Sequence, residues 1–336
     1  MKLKHGLLMI LCSALFSTHV LGKNEWKVKI QMKLPAKATV LAYSSDASRV
    51  AVGHSNGDVS VWNVNTGELL KLVATHTKEI NSIQFISEDC QLFTIGDDDR
   101  AVFLSTSDWT VKNTIEGVAF AGGISPDEKL MVAMDPKQAI WIWDLKTAKP
   151  IKQLTDPGKG GAQTLAFTNN GESVVVNIRP YLINIETRET FSFTSRSDKK
   201  TAVNIESLGG NQASISLGAL QDDDAIVHRV VTSRTGNFVA LGRGWYGQPA
   251  FVDVWDLRDK KRLGRFKAKG GGTLSSFSFD SSLLAIEGAE KVTFWRLEGG
   301  KQSGSVKGNG IMQFSPKSME IAVTNDNDLL IYTSEE

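Results

Sequence analysis

Two short signals alternate along this chain of 336 residues, and each occurs seven times. The first is a turn between apolar runs: Tyr43-Ser44-Ser45-Asp46, Phe85-Ile86-Ser87-Glu88-Asp89, Ile124-Ser125-Pro126-Asp127 and Phe167-Thr168-Asn169-Asn170-Gly171. It returns as Thr232-Ser233-Arg234-Thr235-Gly236, Phe277-Ser278-Phe279-Asp280 and Phe314-Ser315-Pro316-Lys317. The second is an alternating strand that ends near a tryptophan: Val59 to Val64 around Trp62, Ile140 to Leu145 around Trp143, Val252 to Leu257 around Trp255, and Val292 to Leu297 around Trp295. Weaker copies stand at Val102-Phe103-Leu104, Leu182 to Ile185 and Leu329 to Tyr332. A repeat of this kind constrains the fold more than any single motif, because each unit must bury its apolar faces against its neighbours.

The turn residues 46, 89, 127, 170, 236, 280 and 316 are separated by 43, 38, 43, 66, 44 and 36 residues. Five of these six intervals lie near the period of about 40–45 residues typical of a propeller blade. The long one signals an insertion. Seven blades of about 41 residues and an insertion of about 25 account for about 312 residues, against the 314 of residues 23–336. The expectation is all-β: a seven-bladed propeller of four-stranded antiparallel blades, or eight blades if 190–225 forms one. The chain ends after a third strand, and Trp26 to Met32 alternates with period two. That segment is expected to close the ring as the outer strand of the last blade, removing exposed edges.

These residues resemble the WD40-repeat family over essentially the whole of 23–336. The Trp-Asp pair stands at Trp143-Asp144 and Trp255-Asp256, with Trp62-Asn63 and Trp295-Arg296 as near matches. The family's Gly-His dipeptide is absent, while His76 and His228 fall near its place. The resemblance implies that such a histidine bonds a turn aspartate as part of the scaffold, and that the ring serves as an interaction platform.

The first 22 residues read as a signal peptide: a basic head with Lys2 and Lys4, an apolar run from Gly6 to Phe16, and small Gly22 before Lys23. Leu11 before Cys12 is not the small residue a lipidation site needs. The remainder carries 36 basic against 37 acidic residues, a balance that does not point to nucleic acid. It has one cysteine, Cys90, and no Asn-x-Ser/Thr site. The expected setting is a monomeric exported propeller, periplasmic or secreted, with no transmembrane segment after signal removal.

Binding chemistry is sought on the face carrying the second-to-third turns and the blade connections. The insertion at about 197–225 reads as a hairpin, flanked by Arg196, Lys199 and Lys200 and by Asp222 to Asp224. The turn Gly242 to Pro249 carries Arg243, Trp245 and Tyr246, and Arg179 occupies the corresponding turn one blade earlier. Rigid aromatic area beside arginine suits a protein partner. Asp97-Asp98-Asp99 lacks the alternating pattern of a calcium loop, and one of its carboxylates is expected to bond the turn or His76.

Residues 23–336 hold only His54, His76 and His228, with no His-x-x-x-His, Cys-x-x-Cys, Gly-x-Ser-x-Gly or phosphate-loop pattern. The leading expectation is a protein-interaction scaffold without catalytic residues, metal or cofactor. A channel-centred propeller enzyme and a periplasmic inhibitor or immunity protein are the alternatives.

Overall fold

The computed structural model describes residues 25–154, 165–167, 173–176, 181–184, 190–192, 201–207, 213–220, 226–234, 237–244, 250–256, 261–268 and 275–335. These form seven four-stranded antiparallel sheets and one two-stranded sheet. Blades 1 to 6 span residues 38–74, 80–116, 119–153, 165–192, 226–268 and 275–307, each with its strands in sequence order. Blade 7 is composite. Its three inner strands, Met312–Phe314, Glu320–Asn325 and Asp328–Glu335, are completed by Glu25–Lys33 from the start of the chain.

Ring closure is fixed by register. Glu25 pairs with Glu335 and Met32 with Leu329, with one register shift between Val28 and Ile30. The shift lets one strand serve two neighbours: Trp26 stacks on Phe294 of blade 6 at 4.2 Å, whereas Met32 packs into the seam with blade 1. Lys29 reaches Glu320 at 2.7 Å. The inner strands of blades 1 to 4 lie side by side in order, as do those of blades 5, 6, 7 and 1.

Alternation within a strand sends residues to opposite seams. On the third strand of blade 1, Val59 and Val61 pack toward blade 2 with Leu92 and Val102, while Trp62 packs toward blade 7 with Ala322 and Ile331. Middle strands are therefore buried on both faces, and Val50, Ala51 and Val52 are wholly buried in succession.

The turn signal is a hydrogen-bonded knot. Ser44 Oγ donates to Asp46 at 2.6 Å and accepts from Arg49 N at 2.9 Å. Ser125 with Asp127 and Leu130, and Ser278 with Asp280 and Leu283, repeat both bonds. The tryptophan signal marks a bulge: pairing shifts immediately before Trp62, Trp143, Trp255 and Trp295, and before Leu104 in blade 2. A bulge adds local twist and bend to the third-to-fourth strand pair.

The insertion contains the antiparallel strands Thr201–Ser207 and Ala213–Leu220, a sheet of two strands. Among the described residues the insertion therefore adds a two-stranded sheet to seven four-stranded blades and does not form an eighth.

Candidate functional site

Polar chemistry inside the described blades is concentrated in short buried networks. In blade 1, His54 ends the second strand and is wholly buried. Its Nδ1 lies 3.0 Å from the Ala36 carbonyl, and its Nε2 lies 2.7 Å from Ser60 Oγ, which also accepts Trp62 Nε1–H at 2.8 Å. A carbonyl can only accept, so Nδ1 carries the proton and Nε2 receives the serine hydrogen. Burial lowers the His54 pKa and outweighs the nearby groups that raise it, so the ring is neutral.

Blade 2 uses other residues. His76 precedes its inner strand, with Nδ1 2.7 Å from Asp98 and Nε2 2.9 Å from Thr94 Oγ1. Asp98 also accepts Thr77 N at 2.9 Å and two bonds from Arg100. Burial pushes the Asp98 carboxyl upward, but the bonds from Arg100, Thr77 and His76 prevail and hold it at about 2. Burial likewise depresses His76 despite this neighbour. The pair is a neutral imidazole on a carboxylate whose charge is balanced by Arg100.

Blade 5 buries Asp253 completely, with Arg265 donating to both its oxygens at 2.8 and 3.1 Å. The guanidinium lies over the Phe251 ring, 5.4 Å from its centre. Arg265 is the cross-strand partner of Asp253, so sheet register itself makes the pair.

The scaffold residues singled out in the sequence take distinct places. Trp62, Trp143 and Trp255 are buried, and Trp295 is half-buried against Phe266 at 5.4 Å. Asp144 accepts the Thr147 N–H and hydroxyl, both at 2.7 Å, and thus caps the third-to-fourth turn. Asn63 does the same in blade 1 for Asn65 N and Thr66 N. Asp256 is buried at the end of its strand. His228 does not share the station of His76: it lies inside the inner strand Ile226–Thr232, at a register shift, where blade 1 has Thr39 and blade 2 has Asn81. It is placed by its backbone alone.

The partner-facing group is not brought together in the described part of the chain. Arg179, Arg196, Lys199, Lys200, Trp245 and Tyr246 lie outside the described residues, as does the segment 1–22. Arg243 is placed by its backbone alone, opposite Val227 and Phe251. On the same end of the ring, Asp97 accepts Asn81 Nδ2 at 2.5 Å. Asp98 is committed to His76 and Arg100. Among the described residues no group of three or more His, Cys, Asp or Glu side chains is placed to hold a metal, and no helix is long and apolar enough to cross a membrane.

Sequence reasoning missed the roles of His54, Ser60 and Asp253. Ser60 was detectable in principle, since it stands two residues before Trp62 and therefore on the same face of the strand.

Comparison with known proteins agrees with this architecture. The family model described as the anaphase-promoting complex subunit 4 WD40 domain matches residues 19–88. The pre-rRNA-processing protein IPI3 of Yarrowia lipolytica is 24% identical over 259 residues, covering 72% of this chain and 57% of that protein. Eukaryotic translation initiation factor 3 subunit I of Lodderomyces elongisporus is 35% identical over 80 residues, 22% of this chain and 23% of that one. The chain thus spans 57% and 23% of the lengths of these two relatives. The β-propeller domain of Cps50 (Swd1) from Myceliophteria thermophila superposes with a TM-score of 0.69 at 10% identity, covering 92% of this chain and 99% of that domain. The chain is a divergent WD40-like β-propeller.

Proposed function

We propose that this propeller is a non-catalytic protein-interaction scaffold, exported to the bacterial envelope and presenting one loop face to a protein partner. The observation that carries the reading is how the described polar groups are used. His54 is tied to the Ala36 carbonyl and Ser60, His76 to Asp98 and Thr94, and Asp253 to Arg265, each within one blade and the segment that enters it, which makes them framework. A framework of this kind leaves function to the loops it positions. The likeness to WD40 proteins supports the same reading, although fold alone does not define a function.

The face proposed for the partner carries Arg179, Arg243, Trp245 and Tyr246, with Arg196, Lys199 and Lys200 beside the insertion. In-cell crosslinking with mass spectrometry tests it. The native protein should capture one specific partner, and a folded Trp245→Ala, Tyr246→Ala variant should lose it. Capture unchanged in the variant would remove the partner from this face, and no specific capture by the native protein would remove the scaffold reading.

A further inference from the structure

The turns joining first and second strands crowd together at the opposite end of the ring, and two of their seams are latched by a carboxylate. Asp89 of blade 2 accepts Ser45 N of blade 1 at 2.8 Å on each oxygen, Ser45 Oγ at 2.7 Å and Asp46 N at 3.3 Å. Glu128 of blade 3 does likewise to blade 2, taking Ser87 N at 2.8 and 2.9 Å and Ser87 Oγ at 3.2 Å. Successive amides at a turn make a concavity that suits an anion. In these two seams the next blade supplies it.

The turns of blades 3 and 7 do without such an anion for a chemical reason. Pro126 and Pro316 directly follow their turn serines, where blade 1 has Ser45, and a proline has no N–H to present. Blade 6 differs from both cases. Its turn copies that of blade 1: Ser278 Oγ to Asp280 at 2.6 Å, Ser282 N to Asp280 at 3.0 Å, and Leu283 N to Ser278 Oγ at 2.9 Å. The left-handed residue is Ser281, with φ 60°, against 63° for Ala47. At the station of Ser45 stands Phe279, which keeps its N–H. Yet among the described residues no carboxylate of blade 7 reaches it. At the place corresponding to Asp89, blade 7 has Ser318, whose hydroxyl turns back to Ser315 Oγ at 3.0 Å.

The surroundings favour an acidic visitor. Phe279 is exposed, and Lys317 projects from the next turn into solvent. Arg234 reaches past blade 6 from blade 5 to donate to the Pro316 carbonyl at 2.7 Å, bringing a second cation to the blade 7 turn. Within the same blade 6 turn, Ser281 Oγ is buried without a hydrogen-bond partner.

We propose that the blade 6 turn, with Phe279, Arg234 and Lys317, is a second docking point that takes an acidic side chain from a protein partner. The partner's carboxylate occupies on blade 6 the place that Asp89 occupies on blade 1, and an adjacent apolar residue packs on the Phe279 ring. This rests on the protein-interaction reading but uses the first-to-second strand turns instead of the face proposed above for Trp245 and Tyr246.

The test is fluorescence anisotropy of the purified full-length protein with a labelled peptide, Gly-Ser-Leu-Asp-Leu-Ser-Gly, and its Asn counterpart. Saturable binding of the Asp peptide is expected, at least about tenfold tighter than the Asn form. Phe279→Pro removes the N–H by a change the chain already carries at Pro126 and Pro316, and should weaken binding about tenfold with Tm unchanged. Lys317→Glu, at an exposed position, should weaken it comparably and stands alone if the proline variant does not fold. The Trp245→Ala, Tyr246→Ala variant should bind the peptide as the native protein does, so failure of one face is distinguishable from failure of the other. No saturation up to about 1 mM, equal affinity for the Asn peptide, undiminished binding in the folded variants, or loss of binding in the Trp245, Tyr246 variant would each overturn the proposal.

Discussion

Blades 1 and 2 each bury a histidine that ties the segment entering the blade to strands further out, but they build the tie from opposite ends. In blade 1 the histidine sits on the second strand, and the entering segment contributes the Ala36 carbonyl. In blade 2 the histidine is on the entering segment, and Thr94 on the second strand answers it. The chain beyond differs in charge as well. Blade 1 continues through neutral Ser60 to Trp62, whereas blade 2 ends on Asp98 with Arg100. One mechanical need has thus been met once without charge and once with a compensated carboxylate, and the two blades should fail differently.

The largest effect is expected where the two networks join. Gly57 N donates to His54 O, and Gly57 O accepts Thr75 N and His76 N. Its φ is +88°, and a Cβ there would fall 2.2 Å from the His76 carbonyl oxygen. Gly57→Ala therefore adds left-handed strain to a backbone clash, and should cost about 3 kcal/mol or more. Denaturant unfolding checks this, and a loss below about 1 kcal/mol would mean that the junction yields easily.

Next come the hydroxyls. Ser60→Ala strands both His54 Nε2 and the Trp62 N–H in a buried space, at about 2–4 kcal/mol. Thr94→Val preserves shape, strands His76 Nε2 and removes a long 3.3 Å contact to the Val102 carbonyl, at about 1–2 kcal/mol. Equal losses in the two variants would show that blade 1 relaxes to find other partners.

Acid should separate the blades further. His54 and His76 have lowered pKa values in the fold. Each contributes stability that is complete above the unfolded value of about 6.5 and is lost as pH falls below it. Asp98 is also lowered, to about 2, so its contribution is complete above about 3.8 and is lost as pH falls from there toward about 2. Asp98→Asn should flatten the part of the stability curve below pH 4 by about 1 kcal/mol, because solvent at the partly exposed Arg100 guanidinium screens its bond to Asp98. Chemical denaturation measured across pH 7.5 to 2.5 reads the change. An unaltered acid limb would show that Asp98 is not its source.

The blade framework was legible because its signals are local. Ser44, Ser125 and Ser278 with their aspartates encode a turn within six residues, and the alternation of Val59, Ser60, Val61 and Trp62 encodes two buried faces. The segment from Trp26 to Met32 was readable as the closing strand for the same reason. Networks that cross strands were less legible. His54 meets Ser60 through a turn, His228 falls at a register shift rather than before the strand, and Asp253 meets Arg265 only once the register is known. The seam latches of Asp89 and Glu128 join residues about 41–44 positions apart, and nothing local announces them. Their sequence trace is indirect: a proline after the turn serine removes the amide that a carboxylate would meet.

The smallest expected effect isolates one hydrogen bond by comparing two tryptophans at the same station. Trp62 Nε1 donates to Ser60 Oγ at 2.8 Å, whereas buried Trp143 Nε1 has no hydrogen-bond partner. The blade 3 residue at the place of Ser60 is Trp141, whose own N–H goes to Asp135 at 3.0 Å. Replacing either Trp62 or Trp143 by Phe removes comparable ring volume, so the packing loss is similar in the two blades. Trp62→Phe also takes a donor from Ser60, while Trp143→Phe removes a buried polar group that was not satisfied. Trp62→Phe should accordingly be the more damaging by about 1 kcal/mol, read as the difference between two unfolding midpoints. A reversed order would mean that the His54–Ser60–Trp62 chain holds by packing, and that its hydrogen bonds merely accompany it.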